Sequence, residues 1–274
     1  MSTMTTTQQT GPMEGYLHVD PVVVREGDTA RIDAADVHYK QLNEAVRGAF
    51  DDGATAVVLD HVNGQRYIGT GMTGADRCIE VHGTAGNDLA MFMDGPTVEL
   101  HGNAQDGVGN TMNSGTVIVH GDAGDVLGYG MRGGKVFVHG DVGYRVGIHM
   151  KAFESLRPIM VCGGNARDFF GEYMAGGLLV LLGMNAQFEG PMVGSFVGTG
   201  MHGGEIYLRG TVEEWQCGKE VGIFSADEAD TEQIRPVLEE YCLAMGMDLD
   251  EVLSEPFTKL IPVSNRPYGK LYAY

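Results

Sequence analysis

Four histidines, His82, His101, His120 and His139, recur at a spacing of 19 residues, each directly before a glycine. Imidazole is a common metal ligand, so a metal column is the first chemistry that this pattern suggests. Residues repeated at the period of a stacked structure fall into one straight column, and a straight column does not converge on a tetrahedral point. The expectation is therefore a ladder of neutral, partly exposed rings with no metal bound. Asn103, Asp122 and Asp141 follow the next glycines and invite a calcium-solenoid reading. Calcium solenoids repeat every nine residues with paired glycines, so the expected explanation is instead the tolerance of Asn and Asp for left-handed turns.

The pattern G-x-G-x-x-G occurs three times, at Gly69, Gly71 and Gly74, at Gly128, Gly130 and Gly133, and at Gly198, Gly200 and Gly203. A dinucleotide fingerprint opens a helix whose N-terminus holds pyrophosphate. Each of these three leads into another strand pattern, which makes them corners of a repeat. The sequence carries no G-x-S-x-G elbow, P-loop or H-E-x-x-H pair, and the cysteines at 78, 162, 217 and 242 form no C-x-x-C pair, so they are expected as free thiols. The densest polar cluster is 143–151, in which Arg145, His149 and Lys151 are candidates for a partner contact or a polar passage, with a solvated loop as the plainer alternative. No residue is assigned a catalytic or cofactor-binding role.

The elements that must position these side chains come from the repeat itself. Glycines at 83, 102, 121, 140, 163, 183 and 210 each close a short apolar run, at intervals of 19, 19, 19, 23, 20 and 27 residues. The runs alternate with a period of two, as strands with one buried face do. Methionines at 72, 93, 112, 131, 150, 174 and 201 mark the other half of each unit. About 19 residues is too short for a β-α-β crossover, so the predicted fold is an all-β solenoid, a right-handed parallel β-helix of about seven coils. Two inward columns are predicted, one through Ile79, Val98, Val117, Val136, Ile159, Leu179 and Ile206, the other through Val81, Leu100, Val119, Val138, Val161, Leu181 and Leu208.

The outward column between them reads Glu80, Glu99, Ile118, Phe137, Met160, Val180, Tyr207. Its apolar part, from Ile118 to Val180, needs a cover. Either the chain's own C-terminal helix, expected over 231–245 after a capping box at Ser225 and Glu228, or a separate partner chain supplies it. Left uncovered, the stripe would support homo-oligomers. Residues 34–52 are expected as a helix and 55–59 as a strand at the N-terminal mouth. The predicted division is a disordered N-terminus over 1–14, a strand–helix–strand cap over 15–68, the β-helix over 69–222, and a C-terminal helix and tail over 223–274.

Composition excludes several classes. A net charge of -19 opposes nucleic acid and anionic membranes as partners. No stretch approaches 18 consecutive apolar residues, and the first 14 residues lack a basic, apolar leader, so a cytoplasmic protein is expected.

The runs at 94–104 (DGPTVELHGNA), 109–115 (GNTMNSG), 131–138 (MRGGKVFV), 171–177 (GEYMAGG) and 257–268 (FTKLIPVSNRPY), with the G-x-G turns, resemble the G-x-G-x-G domain that ends the glutamate synthase large subunit. The similarity runs from about Ile32 onward, and is greatest to the separately encoded form of that domain. The resemblance implies a non-catalytic scaffold. Its partners would be a glutaminase subunit and a flavin/iron–sulfur synthase subunit that holds FMN and the clusters, and the β-helix would keep them in register and shield ammonia between them. The β-helical C-type subunit of formylmethanofuran dehydrogenase is the alternative, with the related subunit of N-methylglutamate synthase beside it. A free-standing polysaccharide-cleaving β-helix is a third possibility, opposed by the apolar outward column where a sugar groove would be polar.

Overall fold

The protein is seen as a computed structural model that describes residues 19–263. The expected disordered segment 1–14 and the Arg266–Tyr268 end of the tail motif lie outside those residues. A short antiparallel hairpin, β1 (Val23–Glu26) and β2 (Thr29–Asp33), leads to helix α1 (Tyr39–Asp51) and strand β3 (Ala56–Asn63). The helix starts later than the expected 34–52 because Asp36 takes a φ of 59° and His38 is extended. Its apolar face, Leu42, Val46 and Phe50, with Val37 before it, closes the mouth of the core.

From β2 onward the chain winds in parallel. The strands β4 (Cys78–Thr84), β5 (Asp94–His101), β6 (Ser114–Val119), β7 (Lys135–Val138), β8 (Ile159–Cys162), β9 (Ala175–Leu181) and β10 (Gly203–Arg209) each pair with the next. These seven strands bound six full turns, one fewer than the expected seven coils. Register is kept in phase along Ile79, Val98, Val117 and Val136. On another wall, Ala85, Ala104, Ala123, Val142, Ala166 and Val193 form single parallel bridges. Beyond β10 the sheet ends with β11 (Val221–Ser225) and β12 (Phe257–Pro262), both antiparallel, and β12 lies between β10 and β11. Helices α2 (Glu228–Met245) and α3 (Leu249–Val252) connect those two strands.

The corners explain the glycine pattern. In every coil three alternate residues adopt positive φ, as in Val126, Gly128 and Gly130, in Arg145, Gly147 and His149, and in Phe169, Gly171 and Tyr173. The middle position points inward. A Cβ on Gly109 would meet Val136 Cγ2 at 2.9 Å, and one on Gly171 would meet Ile206 Cδ1 at 2.5 Å, so these sites need glycine for space as well as for backbone freedom. The repeating methionines are all 5% exposed or less and fill the core below these corners.

One coil differs from the expected alignment. Val136 pairs with Met160, Phe137 with Val161 and Val138 with Cys162, so Met160 and Cys162 face the core and Val161 faces outward. Gly163 and Gly164 are adjacent, and aligning on the first of them slips the strand by one residue. A slip of one reverses both faces of a strand. The helix α2 also begins differently from its expected signal. Asp227 is its N-cap, accepting from the Asp230 amide while Asp230 accepts from the Asp227 amide; Ser225 ends β11 instead.

Candidate functional site

The outward stripe is covered by the chain's own helix. Phe137, Val161, Leu178, Val180, Leu182 and Tyr207 form a second core with Ile234, Leu238, Tyr241 and Cys242 of α2, Val252 of α3 and Phe257 of β12. Tyr241 meets Phe137 edge-on at 5.6 Å and donates its hydroxyl hydrogen to Val138 O, 3.1 Å away. Burial pushes the Tyr241 phenol up. At the N-terminal end of α2, Lys259 lies 2.5 Å from Asp230 and 3.3 Å from Glu205, and Glu205 also holds Arg157 at 2.6 Å. The hydrogen bond from Lys259 lowers the Asp230 carboxyl, and the same contact raises Lys259; burial pushes Tyr207 beside them up to about 12. Phe137 and Val180 are therefore inaccessible as partner-face residues, and Met160 lies inside the solenoid. Ile118 sits half-buried at the margin of this core. From Phe137 to Tyr207 the stripe is taken up by α2, α3 and β12.

Of the polar candidates, Arg145 and His149 come together on a different face, the line of left-handed corners. Alternate residues there send side chains outward while the glycine between them faces in. Arg145 pairs with Glu172, and its guanidinium lies 4.4 Å over the Phe169 ring. Phe169 stacks on Phe196 at 4.9 Å, and His149 stacks on Tyr173 at 5.3 Å with Tyr129 edge-on at 5.9 Å. Lys151 is exposed two residues beyond His149. Next to this strip, Tyr144, Arg167, Phe188 and Trp215 line a cleft of about 210 Å³, with Arg167 stacked 3.6 Å over Phe188. Trp215 is 72% exposed, a large apolar surface to leave in water. The aromatic members were not anticipated from sequence. Part of their signal was available, because Phe169 and Phe196 each stand two residues before the central corner glycine of successive coils, Gly171 and Gly198, and Tyr173 stands two after Gly171.

The polar columns have a different basis from that expected. Asn103, Asp122 and Asp141 are not in left-handed conformations. Instead, Asn103 Oδ1 accepts from the Asp122 amide at 2.9 Å, Asp122 Oδ1 from the Asp141 amide at 2.8 Å, and Asp141 Oδ1 from the Asn165 amide at 2.6 Å. The other Asp141 oxygen takes the amides of Gln187 and Phe188. A second ladder runs through Asp106 and Asp125. Each side chain thus satisfies a backbone donor on the next coil, where the sheet itself provides no partner. The histidine ladder is present over three of its four expected rungs: His82 stacks on His101 at 4.9 Å and His101 on His120 at 4.8 Å, the rung spacing of a β-solenoid, while His139 is not among the stacked rings described. Burial raises the thiols at 78, 162, 217 and 242, which keeps them protonated at neutral pH; Cys217 is pushed up to about 11.

The repeat matches a known family along most of its length. The GXGXG motif family covers residues 49–263, from the end of α1 through β12. The chain belongs to that family. GXGXG is the family of the domain that ends the glutamate synthase large subunit. An uncharacterized protein from Methanocaldococcus jannaschii is 46% identical over 248 residues, a similarity that takes in 88% of this chain and 95% of that relative. Among the described residues no helix is long and apolar enough to cross a membrane.

Proposed function

We propose that this GXGXG protein is a scaffold subunit of a glutamate synthase-like amidotransferase, joining a glutaminase subunit to a flavin and iron–sulfur synthase subunit and shielding ammonia between them. The observation that carries this reading is the family match across 49–263, which takes in every coil from β4 onward together with α2, α3 and the closing strands β11 and β12. The surface chemistry supports it. With the apolar stripe consumed by α2, the strip of Arg145, His149, Tyr173, Phe169 and Phe196 with the Trp215 cleft has the aromatic and arginine composition of an interface centre. In this reading Arg145, His149 and Lys151 contact a partner, and the chain holds no flavin or cluster of its own.

The test is affinity capture of the tagged protein from its native cells, followed by mass spectrometry. Recovery of glutaminase-type and synthase-type chains, lost when Tyr173→Asp and Phe196→Asp are combined, is the expected result. Recovery of molybdenum or tungsten redox subunits would replace it with a formylmethanofuran dehydrogenase-like assembly, and a partnerless protein would end both readings.

A further inference from the structure

The straight-column objection to a metal site does not hold in the folded protein, because two columns meet. Glu80 and His82 are two residues apart on β4, and Glu99 and His101 are two apart on β5, so each pair leaves the same outer face of the sheet. His120 follows β6 one rung further on. The carboxylates lean across onto the imidazole edges. Glu80 Oε1 lies 2.7 Å from His82 Nε2 and 3.8 Å from His101 Nε2, while Glu99 Oε1 lies 2.8 Å from His120 Nε2 and 3.9 Å from His101 Nε2. The ligand-type atoms of Glu80, His82 and His101, and those of Glu99, His101 and His120, lie within 4.8 Å of one another in each set. These side chains are between 28% and 42% exposed, open to an ion from solvent.

We infer that this cluster is a binding site for one zinc-class divalent ion, held by His101 with either Glu80 and His82 or Glu99 and His120, and with water in the fourth position. Ligands about 2.0–2.1 Å from a tetrahedral ion stand about 3.3 Å from one another. The carboxylate–imidazole separations in each set straddle that value, and the two imidazole nitrogens, within 4.8 Å of each other on stacked rings, close the rest as the rings tilt together. Binding replaces the His82–Glu80 or His120–Glu99 hydrogen bond, and the ligating ring then carries its proton on Nδ1. His101 Nε2 has a single lone pair and can serve only one set at a time, which limits the ladder to one ion. Two imidazoles and a carboxylate favour zinc, nickel, cobalt or copper over magnesium and calcium, which take oxygen ligands. The ion would pin two adjacent coils where no helix covers them. This site is independent of the proposed scaffold role.

The experiment is calorimetric titration of the chelator-treated protein with Zn²⁺, with metal content measured after dialysis. One saturable ion per chain is expected, with no competition from excess Mg²⁺. His101→Asn should abolish uptake, as should His82→Asn combined with His120→Asn, whereas each of the latter alone should still bind one ion. Circular dichroism of the metal-free variants separates loss of the site from loss of the fold. Absence of saturable uptake, or uptake unchanged in His101→Asn, would overturn the inference.

Discussion

The outer face of the parallel sheet has two halves built at identical positions of the coil. At Glu80 and Glu99 the outward column is polar, neighbours the stacked histidines and is open to solvent. From Phe137 through Val161 and Val180 to Tyr207 the same column is apolar and buried beneath α2. Inside, the two halves are alike, with apolar side chains in both inward columns. The difference shows that the inward columns specify the solenoid, while the outward column is free to specify what lies on it: water and an ion at one end, the chain's own helix at the other.

Breaking the covered half should have the largest effect. Phe137→Ala removes a ring buried between sheet and helix and should lower the unfolding free energy by about 3–5 kcal/mol, read by urea denaturation. Leu238→Asp should release α2 and expose the stripe, and light scattering should then show self-association beyond that of the native protein. A change at Phe137 that leaves stability untouched would mean that α2 does not cover the stripe in solution.

Asp141 tests the coil-to-coil ladders that both halves share. It is 6% exposed and accepts three backbone amides, so Asp141→Ala should cost about 2–3 kcal/mol. The more exposed Asp106, which accepts one amide from Asp125, should cost less when replaced by alanine.

The clamp at the start of α2 should make the covered half sensitive to acid. The folded Asp230 carboxyl is held below its ordinary value, chiefly by Lys259, so the unfolded chain takes up the proton first on acidification. Its contribution is complete above the ordinary carboxylate range and is lost as pH falls through the lowered value. Lys259 is raised, so its contribution is present below the ordinary lysine range and fades as pH climbs beyond it. Thermal melts should show the gap between native protein and Asp230→Asn closing on acidification. A gap that stays constant to low pH would remove the clamp from the account.

The smallest effect belongs to the polar half. In the metal-free protein, His82→Asn or His120→Asn removes one partly exposed hydrogen bond to a carboxylate and should shift stability by about 1 kcal/mol or less. A loss as large as that of Phe137→Ala would show that the imidazole stack, rather than the inward columns, holds β4 to β6 together.

Much of this was legible in the sequence, because the solenoid repeats its physics every coil. The 19-residue glycine spacing, the alternating strands and the apolar face of residues 234–241 each point to one structure, and the helix over the stripe follows from the stripe's own hydrophobicity. What failed was local. Two neighbouring glycines made the register at β8 ambiguous by one residue, enough to move Met160 from the core to the surface. The Asn and Asp columns read as turn formers because their partners are backbone amides 19 or more residues away, which no local pattern contains. The histidines read as a lone column although Glu80 and Glu99 stand two residues before His82 and His101, because the contacts that join the two lines, Glu80 to His101 and Glu99 to His120, run between neighbouring strands.

From Gly83 to Gly140 the coils repeat without insertion, each bonded to the next through matching backbone atoms and the same side-chain acceptors. Such a rod has a quantised length. Excising a whole 19-residue period there would shorten it by about 4.8 Å and leave the seat of α2 on β7 to β10 untouched, so the distance between whatever binds at its two ends can change only in whole rungs.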